Sequence, residues 1–584
     1  MELSELIEAA GTIQAQQGPS ATIELYESWL AQQAEHPTSH VARFNLAVLL
    51  SDQGRPQEAE AHLRLAIERF PNFLQAYFNL GLAVERQGRK DEALTHWLKL
   101  ASMADLTQDD QKELAISALN QIGRLQEVLK NYPQAEAALK QSLLLNPKQP
   151  DALQHWIHLR QKQCKWPVYE EFGEVREYDM LMATSPLAML ALTDDPVKQL
   201  LAATTFNQRK FNFPEAKRPK PWTGHDKIRL GYVSGDLCTH AVGLLLPDFL
   251  EQHDKTRFEL YAYDFSPEDG SETRRRIRAA FDHFIDIRNL TDEDVVQKVR
   301  ADEIDVLIDM HGLSSGARPK IFAMRPAYLQ LTWLGYIGTT AFPWIDYVVA
   351  DNFLLSSKQL PDFSERLLNL PHCFLPSSVS TLAHRPDRPV PSDPARRFVF
   401  ACFNNIYKIK PDLLNAWCSV LNNTEIDSEL WLLDDNPEAT RQVHAYLVPR
   451  LADIGRVKFV PRTSYKDYQD RLRQVDLYLD SYPYNGGSTI RDVVSQGVPF
   501  VTFSGNTMVS RMGGSLLSEI GLQELIVNDY RSYVDRCLMF VKDGQLRAMC
   551  QTRIKAYLSQ AQDFNRLKVS VLEQKITRLL LGRA

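Results

Sequence analysis

Residues 475–497, VDLYLDSYPYNGGSTIRDVVSQG, hold the pattern on which the reading of this chain turns. Val475 to Leu479 is an apolar run that reads as a buried strand. Asn485-Gly486-Gly487-Ser488-Thr489 follows as a turn, and the next residues read as a helix with Asp492 in its first turn. Glycine lets backbone come close to a ligand, and a helix start offers unpaired N–H groups with a partial positive charge. Ser488 and Thr489 add hydroxyl donors, and Asp492 supplies an acceptor about one turn further on. A diphosphate followed by a ribose fits this order of donors and acceptor. Any strand-to-helix loop also tolerates Gly-Gly-Ser-Thr, so the stretch alone leaves both readings open.

The same alternation of strand and helix extends in both directions. Upstream of a Pro-rich break at 384–397, strand candidates are IRLGYVSGD, FELYAYDF, IDVLIDMHG, YLQLTWLGY and IDYVVAD. Beyond it lie FVFACFNN, SELWLLD, VKFVPR, VDLYLDSYP and PFVTFSG. Strands separated by helices imply parallel sheets covered on both faces. Two such domains in tandem place a cleft between the carboxyl ends of their strands, where ligands collect. DFNRLKVSVLEQKITRLLLG then reads as a C-terminal helix.

The first 160 residues differ. Segment 42–75 aligns without gaps on 76–109, a period of 34, with Ala42/Ala76, Phe44/Phe78, Asn45/Asn79, Leu46/Leu80, Gly54/Gly88, Glu58/Glu92 and Ala59/Ala93 in register. Small residues where paired helices touch, and glycine in the turn between them, describe a helix–turn–helix solenoid that resembles a tetratricopeptide array. A further unit follows after an insertion, since Ala93 to Ala135 spans 42 residues, and a degenerate unit is expected at 5–38. Such arrays hold protein segments on a concave face, and they also serve as oligomerisation or spacer modules.

The expected organisation is therefore helical repeats over 1–160, a helical connector over 161–226, one α/β domain over 227–390, a second over 391–560 and a terminal helix over 561–584. Bulk properties agree with a multidomain globular chain of 584 residues, 44% hydrophobic and 24% charged. A net charge of −7 argues against a general nucleic-acid binder. No run of 18 apolar residues suggests a membrane span, and MELSELIEAAGTIQAQQG is not read as a secretory signal. Seven cysteines without CxxC spacing suit a reducing compartment, so a cytoplasmic location is expected.

Several strand exits carry groups that a nucleotide-sugar site needs. Lys408 follows FVFACFNN just before Pro411, which suits the first turn of a helix. Together with the NGGST loop it can neutralise a diphosphate leaving group, although a solvated loop lysine fits as well. His240 follows the first strand and can contact a sugar or relay a proton. Gly335 and Gly338, and His311, Ser314 and Ser315, lie in loops read mainly as backbone-shaping. There is no GxGxxG after a strand and no GxxxxGK[ST], which sets aside a dinucleotide oxidoreductase and a P-loop ATPase. Without a D-x-D following a strand or a His/Asp cluster with metal-ligand spacing, the leaving group must be stabilised by lysine, hydroxyls and a helix start, each worth on the order of 3 kcal/mol at the transition state.

GYVSGDxxxH, WLGYxGT, FNNxYKI and NGGST…D…GVPxVT, in this order behind 34-residue repeats, resemble the O-linked N-acetylglucosamine transferase family, glycosyltransferase family 41, including its SPINDLY-type members. The resemblance covers nearly the whole chain. It implies two Rossmann-like domains in a GT-B arrangement, with the acceptor on the first and the donor on the second. It further implies inverting, metal-independent transfer, most simply of GlcNAc from UDP-GlcNAc, to Ser or Thr hydroxyls of proteins, with no cofactor. By this resemblance Lys408 matches the lysine on the donor diphosphate, Ser488 and Thr489 the diphosphate-binding hydroxyls, and Asp492 the ribose-binding acid. Asn405 falls where other members have glutamine or asparagine. His240 falls near sugar and acceptor, Leu334 and Gly335 line the sugar, and Gly486 and Gly487 belong to the diphosphate loop. Two positions depart from the pattern: Tyr468 stands for a nucleoside-stacking histidine, and Gly487 for the loop histidine of animal enzymes. GDP-fucose or another UDP-hexose as donor, a non-protein acceptor, and an inactive repeat scaffold stay as alternatives. Protein acceptors bound through the repeats are the expected partners, nucleic acid and membrane are not, and homo-oligomerisation is left open.

Overall fold

The computed structural model describes residues 1–214, 216–220, 225–377 and 397–582. All of the Pro-rich break except Arg397, and with it the domain boundary expected at 390/391, lies outside the described residues. By its contacts the chain forms two units, 1–160 with 167–180, and 161–166 with 181–584. The expected connector is thus divided between them.

The first unit is a stack of helix pairs: α1 (Leu3–Gln17) with α2 (Pro19–Gln32), α3 (Ser39–Asp52) with α4 (Pro56–Arg69), α5 (Leu74–Arg86) with α6 (Lys90–Met103), and α7 (Asp109–Val128) with α8 (Tyr132–Leu145). Gly54 and Gly88 end the first helix of their pairs at φ 72° and 83°, the left-handed region that a side chain disfavours. The third such position is Lys130, held at φ 62°. Gly81 is small for a packing reason, because a Cβ there would sit 2.2 Å from the Trp97 indole nitrogen. The insertion lies mostly in α7, 20 residues against 13 in α5. Seven extra residues are about two turns, which keeps the buried face in phase.

The second unit contains two sheets, parallel throughout. The first has the order β3-β2-β1-β4-β5-β6-β7, from β1 (Ile228–Ser234), β2 (Phe258–Asp264), β3 (His283–Asp286), β4 (Val306–Asp309), β5 (Leu329–Thr332), β6 (Tyr347–Asp351) and β7 (Arg366–Leu370). The second has the order β10-β9-β8-β11-β12-β13, from β8 (Phe398–Cys402), β9 (Ser428–Asp434), β10 (Val457–Pro461), β11 (Leu477–Leu479), β12 (Phe500–Phe503) and β13 (Ile526–Val527). Helices cover both sheets, and one buried hydrophobic cluster runs through the whole unit. Strands β3, β7 and β13 have no counterpart among the sequence-derived candidates, and β11 is shorter than the Val475–Leu479 run.

The helix Ala561–Leu580 does not stay with the second sheet. It packs on β7 and on the short Pro247–Leu250 helix of the first sheet's domain. There Glu573 accepts from the Asp254 amide at 3.0 Å and lies 2.9 Å from Nδ1 of buried His253. No helix among the described residues is long and apolar enough to cross a membrane.

Candidate functional site

Each sheet reverses its strand order once, between β1 and β4 and between β8 and β11. Ligands of open parallel sheets collect outside the strand ends at such a reversal. The sequence-derived residues divide between these two points. His240 and His311 follow β1 and β4, while Lys408 and the 485–489 loop follow β8 and β11.

At the second reversal, Lys408 ends the 3-10 turn Ile406–Lys408. Its Nζ donates to the Asn485 carbonyl at 3.3 Å and lies 3.5 Å from the centre of the Tyr484 ring. Burial of the amine pulls its pKa from 10.5 down to about 8, opposed by the negative charge of Asp480. Gly487 takes the N-cap position of the helix Ser488–Ser495. The first helix amide to close a backbone bond is that of Arg491, to the Gly487 carbonyl at 3.3 Å. The amides of Ser488, Thr489 and Ile490 therefore open the helix without an intrahelical acceptor.

One expectation is corrected. Asp492 is the fifth helical residue, in the second turn rather than the first, because Gly487 and not a later residue forms the cap. The Gly486 amide donates to Asp480 Oδ1 at 2.8 Å. Gly335 makes its close approach to protein: a Cβ there would lie 1.8 Å from the Met310 carbonyl oxygen. Beside it, Leu334 is held at φ 71°. By contrast, a Cβ on Gly487 would meet nothing nearer than the Met512 sulfur at 3.9 Å, so that side of the loop is open.

Asp480, which the motif reading passed over, is the centre of the loop's support. It is fully buried, and accepts from Gly486 N, from Asn404 Nδ2 at 2.9 Å and Ser481 N at 2.9 Å, and from Thr502 Oγ1 at 2.7 Å. Burial raises its pKa to about 6, against these hydrogen bonds and the nearby Lys408. Asn404, which the sequence did not single out, thus joins the buried network. Asn405 stays at the surface of the turn, where its carbonyl accepts from the Lys408 amide at 3.0 Å.

At the far end of the same helix, Asp492 Oδ1 accepts from the Tyr465 hydroxyl at 2.9 Å and lies 3.1 Å from Arg491 Nη2. Tyr468 is mostly buried, its ring 6.1 Å from Phe403 and 6.2 Å from Tyr465. Tyr465, partly exposed, was not singled out by the sequence. Its only signal there is its place three residues before Tyr468.

The first sheet's loops meet this helix. Arg491 Nη1 donates to the Leu244 carbonyl at 3.0 Å, and the Leu244 amide donates to the His240 carbonyl at 2.9 Å. The helix Ser488–Ser495 thus touches the turn that carries His240. That imidazole is half exposed, with Nδ1 3.3 Å from Asp236. His311 is buried instead. Its Nε2 accepts from the Gly235 amide at 2.8 Å and its Nδ1 meets Ser314 Oγ at 3.0 Å, so it ties the two loops together. Among the described residues no group of three His, Cys, Asp or Glu side chains is placed to hold a metal ion.

The model of glycosyl transferase family 41 matches residues 200–388 and 375–571, and that of the tetratricopeptide repeat matches 44–105. The chain belongs to glycosyl transferase family 41. Among its relatives, the probable UDP-N-acetylglucosamine–peptide N-acetylglucosaminyltransferase SEC of Arabidopsis thaliana is 29% identical over 65% of this chain and 42% of that protein. The probable enzyme of the same description named SPINDLY, also from Arabidopsis thaliana, is 28% identical over 54% of this chain and 35% of that protein. The chain thus spans about two-fifths or less of the length of these curated relatives. A solved mutant O-GlcNAc transferase of Thermobaculum terrenum superposes with a TM-score of 0.64 at 24% identity, covering 99% of this chain and 97% of that one. That likeness shows the fold: helical repeats followed by two Rossmann-like domains, as in the GT-B class.

Proposed function

We propose that this protein is an inverting, metal-independent glycosyltransferase that moves GlcNAc from UDP-GlcNAc to Ser and Thr hydroxyls of proteins. One observation carries the reading. At the second sheet's reversal a desolvated lysine amine touches the loop that opens a helix, and among the described residues it has no ion-pair partner. A positive charge left unpaired in a dry site is costly unless an anion completes it, and a diphosphate beside a helix start is the anion this corner fits. In this reading the Ser488, Thr489 and Ile490 amides and the two hydroxyls hold the phosphoryl oxygens. Asp492 takes the ribose hydroxyls in place of the Tyr465 hydroxyl, and Tyr468 borders the base. The acceptor hydroxyl enters from the His240 side and attacks the anomeric carbon opposite the diphosphate. As the new C–O bond forms, the old one breaks, its electron pair goes to a phosphate oxygen beside Lys408, and the proton of the acceptor hydroxyl passes, directly or through water, to a phosphate oxygen of the donor. His240 positions the reactants. The names of the relatives support UDP-GlcNAc and peptide acceptors, and the repeats support a protein acceptor.

The test is a thermal-shift panel of UDP, GDP and their sugar conjugates, with and without EDTA, followed by transfer of labelled sugar to protein acceptors. UDP at a hundred times its dissociation constant should stabilise by about 2.7 kcal/mol, EDTA should change nothing, and Lys408→Ala should abolish transfer while leaving the fold intact. Stabilisation by GDP and GDP-fucose alone would reassign the donor. A full panel without response, or a fully active Lys408→Ala, would overturn the proposal.

A further inference from the structure

The turn that receives Lys408 does more than present a carbonyl. Tyr484 and Asn485 are consecutive, and together they supply both contacts of the ammonium: the ring centre at 3.5 Å and the carbonyl at 3.3 Å. The backbone of this pair is held from several sides. Ser481 Oγ donates to the Tyr484 carbonyl, Asn485 Nδ2 to the Ser481 carbonyl at 2.9 Å, and the Asn485 amide to the Val509 carbonyl at 3.2 Å. Asn485 Oδ1 in turn accepts from the Gly513 amide at 3.2 Å. The backbone that carries the ring is therefore held in place. An aromatic face carries negative potential, and its attraction for an ammonium grows when water is excluded.

We propose that Tyr484 is a positioning residue for Lys408, its ring face holding the ammonium charged and aimed at the place where the diphosphate departs. This rests on the role given to Lys408 above. The other titratable groups facing the ammonium are Asp480, at the end of β11, and Cys402, in β8. The phenols of Tyr336 and Tyr407 lie around Tyr484. Burial pushes the Tyr484 phenol up to about 12, so the ring stays neutral. An aliphatic side chain at 484 would leave the charge one carbonyl in a dry corner, and the amine would lose its proton more readily.

The experiment uses the full chain and UDP, or GDP if only that nucleotide stabilises the wild type. Calorimetric titrations from about pH 6.5 to pH 10 locate the alkaline limb at which binding weakens as Lys408 deprotonates. Tyr484→Phe keeps the ring and should keep the limb. Tyr484→Leu should move it down by about one pH unit, which at pH 8 is about fivefold weaker binding. Chains carrying increasingly fluorinated phenylalanines at 484 keep the shape while draining the ring's negative face. They should move the limb stepwise, and they decide the matter if the leucine variant does not fold. A limb unchanged across the fluorinated series would overturn the proposal. Absence of nucleotide binding by the wild type at every pH would overturn the reading of Lys408 first, a result separable from the ring's effect.

Discussion

A site built to receive an anion should be less stable empty than a version without its charge, and Lys408 allows this to be measured. Its amine is held at about 8 instead of 10.5 by desolvation, so keeping it protonated in the folded chain costs about 3 kcal/mol. Part of the side chain is still accessible, and a discounted figure of about 1–3 kcal/mol is the expectation. Lys408→Met keeps the aliphatic stem and removes the charge. The sign follows from the lowered folded-state pKa. Below about pH 8 both states of the wild type are protonated and the folded one bears the full cost. Between about pH 8 and pH 10.5 the folded state releases its proton first, and the cost fades as pH rises. Lys408→Met should therefore be more stable than wild type at pH 7, by a few degrees in the transition of the α/β unit, and nearly equal to it at pH 10. It should also have lost UDP binding. Unfolding in urea at the two pH values, with calorimetry alongside, provides the assay. A methionine variant less stable than wild type at pH 7, or a difference independent of pH, would refute the reasoning.

Three further outcomes follow from other parts of the chain. Asp194 accepts from Asn506 N, Thr507 N, Thr507 Oγ1, Ser510 Oγ and Tyr482 Oη. Asp194→Ala should cost about 3 kcal/mol through these orphaned donors, and amide exchange should rise over 505–510; unchanged protection there would count against this anchor. In the repeats, His62 and His96 are equivalent positions whose pKa values burial lowers below 6.5, each with one ring nitrogen lacking a hydrogen bond. Their stabilising contribution is complete above pH 6.5 and is lost as pH falls below it. Protection factors in α4 and α6, corrected for the intrinsic pH dependence of amide exchange, should therefore fall at pH 5 in the wild type and less so in a His62→Gln/His96→Gln double variant. Lys130→Gly should stabilise the α7–α8 pair by about 0.5 kcal/mol by relieving its left-handed backbone. Lys130→Ala, which keeps the Cβ, should gain nothing in the same melting experiment.

What the sequence disclosed depended on how local each signal was. Gly54 and Gly88 repeat because a turn of fixed hand repeats, so the helix pairs could be read directly. SELWLLD became β9 residue for residue, because its apolar run is bounded by polar turns. HFID did not announce β3, an edge strand whose half-exposed residues leave no apolar run. The motifs singled out Lys408, Ser488, Thr489 and Asp492 as candidates, all short-range features of a strand exit or a helix start. The loop's support was hidden. Asn404, Asp480 and Thr502 come from three strand ends that are neighbours only in the sheet. Tyr484 gains meaning only when the lysine 76 residues earlier folds over its ring. Glycines were legible as special but not as to why: Gly335 accommodates a carbonyl and Gly487 leaves open space.

The helix Ala561–Leu580, bound through Glu573 to His253 and Asp254, makes the first α/β domain discontinuous. A ribosome must release residue 573 before that domain acquires its last covering layer, so about 200 residues of delay separate the end of β7 at Leu370 from the sheet's completion. A nascent chain in that interval exposes the apolar ground on which the helix later rests, and that surface is open to chaperones or to wrong partners. For the same reason, excising 228–377 as an independent fragment should yield an aggregating protein unless the terminal helix is supplied in trans.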